Sequence, residues 1–279
     1  MSFLSHAGYA GPREVQYLFI DGAQLASTLE EVGQEWFDCP IELDYARVRG
    51  EHTKVFYYDC LPAKKSTESE AQHTQRREDK LRFFNELRDL QGWHVSEGIA
   101  RHRRKERQEQ KEVDILIAVD MLTHTHRRNM HRLTFLTGDQ DFAPLVEAVV
   151  REGMYVQLWF PLGHTSQDLK HFADDARPLD AEFLLGMATE HFQRHHALPT
   201  RQKEVHERPP NAQPLEQAWA GTAKVGTLWL EQQGGHVATG STPMQTGRFL
   251  TVRHREADKV KKMFARDFAQ LEWRPAVTS

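Results

Sequence analysis

Arg132-Leu133-Thr134-Phe135-Leu136-Thr137-Gly138-Asp139-Gln140-Asp141-Phe142-Ala143-Pro144-Leu145 decides the fold of this chain. The short apolar run Arg132–Leu136 reads as a buried strand, Thr137 to Asp141 as the turn that ends it, and Phe142–Glu152 as a helix stopped by Gly153. Tyr155–Phe160 is then the next strand. Strands joined through helices predict an α/β domain with a parallel sheet covered by helices on both faces. In such sheets ligands bind beyond the carboxyl ends of the strands, and Asp139 lies at one of those ends.

Toward the N-terminus the pattern repeats. Tyr17–Ile20 is a short strand closed by Asp21-Gly22, Leu25, Leu29 and Val32 carry helical spacing over residues 23–35, and Lys54–Tyr58 is a second strand ending at Asp59. Leu81, Phe84, Leu87 and Leu90 recur at three-residue steps within 64–90, predicting a helix with a solvated N-terminal part that ends near Gly92. Trp93–Val95 is read as a third strand. Periodicity leaves Val113–Leu122 (VDILIAVDML) open, because a nearly continuous apolar run suits a buried strand or a buried helix equally.

Toward the C-terminus, residues 163–192 read as a closing helical segment, with Leu169, Phe172, Phe183, Leu184 and Met187 on its buried side. Four prolines and little apolar content from His195 to Pro214 read as a linker. The expected organisation is an α/β domain at 1–195, a linker at 196–214 and a small α+β accessory domain at 215–279. For the last, a helix over Leu215–Leu230, a turn at Gly234-Gly235, a strand Arg248–Arg253 and a helix from Glu256 to Leu271 are expected. No internal repeat is found.

Composition narrows the function classes. Of 279 residues 39% are hydrophobic and 27% charged, which fits a folded globular chain rather than a disordered one. The longest apolar stretches fall far short of the roughly 20 residues needed to cross a bilayer. Met1 to Gln16 shows no basic start followed by an apolar run, so no secretory signal is read and a cytoplasmic location is expected. Two cysteines, Cys39 and Cys60, make no disulfide framework and show no metal-ligand spacing, which suits a reducing compartment. The 16 histidines, including His124 with His126 and His195 with His196, have no partners at zinc-like spacing and are read as surface residues.

The net charge of −4 is unevenly spread. Residues 200–279 carry 12 Lys+Arg against 8 Asp+Glu, a balance of +4, which leaves 24 against 32, or −8, for residues 1–199. An acidic body repels nucleic acid unless cations neutralise its carboxylates. The most basic stretch, Arg101, Arg103, Arg104, Lys105 and Arg107, is suited either to gripping backbone phosphates or to being a solvated segment.

Three motifs carry the chemistry. Phe19-Ile20-Asp21-Gly22, Lys111-Glu112-Val113-Asp114 running on to Val119-Asp120, and Leu136-Thr137-Gly138-Asp139-Gln140-Asp141-Phe142 with Pro144-Leu145 together resemble the NYN domain, LabA-like branch, of the PIN-like nuclease superfamily. The resemblance covers roughly residues 15–190, since Ser166-Gln167-Asp168-Leu169 and Ala173-Asp174 are similar to the family's closing helix. It implies a parallel α/β sheet with acids grouped at one edge to bind Mg²⁺ or Mn²⁺, activity mostly on RNA, and a helical Val113–Leu122. It assigns metal-binding and catalytic roles to Asp21, Asp114, Asp139 and Asp141, with Asp120 as a further candidate ligand. Gln24 stands where the family often has Asn, three residues beyond Asp21. Gln24, Thr137 and the basic residues from Arg101 to Arg107 are the candidate substrate contacts.

The chemistry independently requires such a set. A phosphodiester is anionic, so an attacking water needs activation and charge neutralisation, which hard divalent cations held by carboxylates supply. Each residue also has a plainer role open to it. Asp-Gly is a common turn, and Asp139 is placed to cap the following helix for about 1 kcal/mol. Asp120 lies six residues after Asp114, about 600° around a helix and so about 240° away, and cannot share its face. Trp219, Trp229 and Phe249 suit base stacking or a small core.

The expected function is therefore a metal-dependent ribonuclease, with RNA as partner, no membrane, and a homo-oligomer or protein partner reached through the C-terminal domain as a further option. One rival is a catalytically inactive NYN domain that binds RNA or protein. A second, a phosphatase of the haloacid dehalogenase type, needs a second Asp two positions after the nucleophile, and Ala23 stands there.

Overall fold

The computed structural model describes residues 14–98, 106–163, 165–240, 248–268 and 270–276, with only the backbone for 106–111. The chain forms two compact units, Met1–Gln193 and Arg194–Ser279.

The first unit runs β1 (Gln16–Asp21), α1 (Gly22–Phe37), α2 (Tyr45–Arg49), β2 (Lys54–Asp59), α3 (Glu70–Asp89), β3 (Trp93–Glu97), α4 (Glu106–His126), β4 (Arg132–Leu136), α5 (Ala143–Arg151), β5 (Tyr155–Phe160), α6 (Gln167–Phe172), β6 (Asp175–Pro178), α7 (Ala181–Met187) and α8 (Glu190–His195). Its six strands are all parallel, in the order β3-β2-β1-β4-β5-β6. The expected α/β class is therefore what the chain adopts. Its strands are apolar on both faces because helices cover both. Tyr17, Phe19, Phe56, Tyr58, Leu133, Phe135, Val156 and Leu158 alternate onto one face, where they pack with Val113, Ile117 and Met121 of α4 and Val146 and Val149 of α5. The alternate residues meet the other layer: the Tyr57 ring lies against Phe83 and Phe84 of α3, and Trp159 packs edge-on against Phe183 of α7 at 5.0 Å.

Val113–Leu122 is helical, as the resemblance implies. The segment 163–192 is not wholly helical, because Asp175–Pro178 adds an edge strand beside β5. That strand is only four residues long and ends in Pro178, which suits an edge whose outer amides need no partner.

The second unit comprises β7 (Thr200–Glu204), β8 (Gln213–Ala220), β9 (Ala223–Leu230), β10 (His236–Gly240), β11 (Phe249–His254), α9 (Ala257–Ala265) and β12 (Glu272–Pro275). It is an antiparallel sheet in the order β12-β8-β9-β10-β11-β7. Three expectations are corrected here. The helix read over Leu215–Leu230 is a hairpin: Gly221, at φ +62°, opens a two-residue turn, and Val, Thr and Trp side chains fill the strands. The final helix stops at Ala265, and the sequence beyond it supplies β12. The stretch read as linker also contributes a strand, β7, paired with β11. The turn at Gly234-Gly235 and the strand near Arg248–Arg253 are present.

Two glycines separate packing from propensity. A Cβ on Gly240 would lie 2.2 Å from the Val225 carbonyl oxygen and 2.5 Å from the Phe264 ring, whereas a Cβ on Gly186, inside α7, would meet nothing within 4 Å. Overpacking costs about 1–3 kcal/mol and exceeds the roughly 0.5–1 kcal/mol that alanine gains over glycine in regular structure. Gly240→Ala is expected to lower the unfolding midpoint and Gly186→Ala to raise it, as read by urea denaturation; two shifts of the same sign would contradict this packing.

Candidate active site

The strand order reverses between β1 and β4, the first crossing to β2 and β3 and the second lying on β1's other side. At such a switch point the connections leave in opposite directions and open a crevice beyond the carboxyl ends. Asp21 ends β1, and Thr137-Gly138-Asp139 follows β4.

Asp21 caps α1: its Oδ1 accepts the Gln24 N–H at 3.1 Å. Its Oδ2 accepts the Thr137 hydroxyl at 3.3 Å. Thr137 Oγ1 in turn accepts the Asp139 N–H at 3.2 Å, and Asp139 Oδ1 accepts the Asp141 N–H at 2.9 Å. A single chain of hydrogen bonds therefore joins the turns after β1 and β4. The close approach depends on Gly138, where a Cβ would fall 2.6 Å from Pro161 and 3.0 Å from the Gln24 amide oxygen. Gln24 thus stands against the β4 turn, as a residue bridging the two motifs would.

Asp21 is the strained member. Burial pushes its pKa up to about 6; the Gln24 N–H works against this, the charges of Asp114 and Asp59 add to it, and the Thr137 hydroxyl lowers it. Asp114 therefore faces this crevice electrostatically from α4. Asp120 does not join it: its Oδ2 accepts the Tyr58 hydroxyl at 2.8 Å on another side of the helix. Asp141 is exposed and joins the set through its backbone N–H. Of the basic stretch, Arg101, Arg103, Arg104 and Lys105 lie outside the described residues, and Arg107 is described only by its backbone.

Sequence reasoning passed over Asp59 as a strand end. It is buried, accepts the Cys60 N–H at 2.7 Å and the Tyr57 hydroxyl at 3.2 Å, and pairs with Lys80 of α3 at 2.5 Å. Gly22 makes room for the Tyr57 ring, since a Cβ there would sit 2.5 Å from it. The available signal was an acid closing β2 beside the one closing β1. An open cleft of about 600 Å³, lined by Ala23, Asp59, Arg76, Lys80 and Phe83 among others, adjoins this pair.

Among the described residues no three His, Cys, Asp or Glu side chains form a ready-made metal cage. The donor chemistry still fits a hydrated Mg²⁺ or Mn²⁺, which takes one or two protein carboxylates and keeps several waters. Asp21 offers a carboxylate pressed by two neighbouring negative charges, a situation that a cation relieves.

Asp21 therefore costs stability once ionised. Its pKa is higher folded than the ordinary 3.8, so the folded state holds the proton more tightly. The cost is absent below about pH 4, grows as pH rises through 6, and is complete above it. Asp21→Asn keeps a side-chain carbonyl for the cap and removes the charge. In EDTA the variant is expected to exceed the parent in stability by up to about 3 kcal/mol near pH 7.5 and by much less near pH 4, as measured by denaturation at both pH values. Equal stability at the higher pH would show that the site does not strain this carboxylate.

Comparison with known proteins gives the family. No curated protein matches the chain. Two solved structures are similar over part of it: a protein of unknown function from Vibrio parahaemolyticus (TM-score 0.44, 19% identity, 61% of this chain and 95% of that one) and a provisionally assigned oxidoreductase from Parabacteroides merdae (TM-score 0.24, 12% identity, 60% and 31%). The NYN domain profile matches residues 17–180, the span that holds the parallel sheet and all of the acids described above. This chain belongs to the NYN domain family, a family of PIN-like nuclease domains.

Proposed function

We propose that the NYN domain of this chain is a divalent-metal-dependent ribonuclease that hydrolyses RNA phosphodiester bonds. The observation that carries the reading is Asp21: a half-buried carboxylate at the sheet's switch point, hydrogen-bonded from both neighbouring turns, with Asp114 and Asp59 pressing on its charge. Acids whose protonation is shifted by burial and by a neighbouring like charge cluster at functional sites.

Asp21, Asp114 and Asp139 are the residues that would hold Mg²⁺ or Mn²⁺, with Asp141 beside them. Bound there, the ion supplies charge neutralisation at the phosphate, activation of a water and stabilisation of the leaving oxygen. The rest is positioning. Thr137 donates to Asp21 and accepts from the Asp139 backbone, so it fixes both acids relative to the β4 turn. Gln24 closes the gap between the β1 and β4 turns. Arg101, Arg103, Arg104, Lys105 and Arg107 precede or open the helix that carries Asp114, where cations would hold the flanking phosphates of an RNA chain.

The lack of a preformed three-carboxylate cage among the described residues favours a second reading, an NYN domain that binds RNA without cutting it. Labelled single-stranded and structured RNA, with DNA alongside, incubated with Mg²⁺ or Mn²⁺ and with EDTA, separates the two. Cleavage that EDTA abolishes is expected. Asp139→Asn preserves the cap on Asp141 N–H because asparagine also accepts it. This variant is expected to lose about two orders of magnitude or more of cleavage with an unchanged unfolding midpoint. Undiminished turnover in the variant removes the proposed mechanism, and retention of RNA without cleavage in the parent establishes the binding module.

A further inference from the structure

Helix α4 is apolar on two opposite sides. Val113, Ile117 and Met121 enter the core and are almost wholly buried. On the far side Ile115 is 62% exposed, Val119 54% and Leu122 41%, with Leu116 at 36% beside them. These are four of the eight large exposed hydrophobic residues in the described structure. A helix with apolar residues all round is ordinarily buried all round, and a contiguous apolar stripe on a surface marks an interface.

The stripe continues with a coiled-coil spacing. Glu112, Ile115, Val119, Leu122 and His126 follow one another at intervals of three, four, three and four, the seam of a two-helix contact. Its ends are polar and of different kinds, acidic at Glu112 and an imidazole followed by the exposed Arg127 and Arg128 after Leu122. If two copies met in parallel, Glu112 would face Glu112 and the basic ends would face each other. In antiparallel register Val119 faces itself on the two-fold axis, Ile115 comes within one residue of Leu122, Glu112 faces His126, and the helix dipoles oppose. That register sets apolar positions against apolar ones and avoids the like-with-like ends of the parallel arrangement. Asp120 is held by Tyr58 and Asp114 acts on Asp21, so neither carboxylate is drawn into it.

We propose that α4 pairs with α4 of a second copy of this chain, antiparallel about an axis through Val119. A seam of five positions is smaller than a standard interface, so the dimer is concentration-dependent. Sedimentation velocity of the full chain over about 1–100 µM is expected to move from one chain mass toward two. Val119→Lys, which places two ammonium groups on the axis, is expected to raise the dissociation constant at least about tenfold at an unchanged unfolding midpoint. Register is read by cross-linking with a short bis-maleimide, against the background set by Cys39 and Cys60. Val119→Cys is expected to link into dimers, whereas Glu112→Cys is not, its two copies lying about 21 Å apart along the pair. A monomer at every concentration, a dimer untouched by Val119→Lys, or equal linking from both cysteine positions each overturns the proposal.

Discussion

Burying a carboxylate beside other carboxylates is the unfavourable interaction around which this domain is arranged. A parallel sheet whose order reverses between β1 and β4 brings the carboxyl ends of distant strands together, and here those ends carry Asp21, Asp59 and the Thr137–Asp139 turn. The geometry is set by the apolar strands, which bury on both faces and leave the acids no freedom to separate. Asp21 bears the consequence, with a pKa raised to about 6.

The two neighbouring acids are treated differently. Asp59 has a cation, Lys80 at 2.5 Å, together with a hydroxyl and a backbone amide, so its charge is paired within the protein. Among the described residues, the groups that donate to Asp21 are neutral, one N–H and one hydroxyl. A structural carboxylate in such a place is ordinarily paired, because an uncompensated buried charge is expensive. The unequal treatment is the ground on which the proposed function gives a cation to Asp21 and not to Asp59, and the Asp21 and Asp59 strand ends do not reveal it by themselves.

Strands β1, β2, β4 and β5 were legible because each is a short, largely apolar run closed by a turn, and because Asp21 and Asp139 sit directly after two of them, whereas β6, Asp175-Ala176-Arg177-Pro178, carries no such run and was read as helix. The order of the motifs identified the family, and through it the helical state of Val113–Leu122, which periodicity could not decide. Asp59 was not legible as part of the site, since its relation to Asp21 depends on β2 lying beside β1. The C-terminal unit was misread for a different reason. Leu215, Trp219 and Leu230 can be laid on a helix as easily as on two strands, and only the positive φ at Gly221 and the cross-strand partners of β9 resolve the choice. β12 and β7 lie at the two edges of that sheet, the first half polar and the second polar throughout, where sequence alternation is weakest.

Helix α4 shows why periodicity failed where it did. An ordinary amphipathic helix has one apolar side and one polar side, and its sequence displays that division. This helix meets separate demands around its circumference: Ile117 fills the core, Asp114 acts on Asp21, Asp120 holds Tyr58, and Ile115, Val119 and Leu122 form an apolar stripe facing outward. Superimposed, these demands yield VDILIAVDML, in which acids interrupt an apolar run at positions that match neither a strand nor a simple helix. A blurred pattern of this kind is the mark of an element in contact on several sides, and the side that stays exposed among the described residues is the one that a second copy would cover.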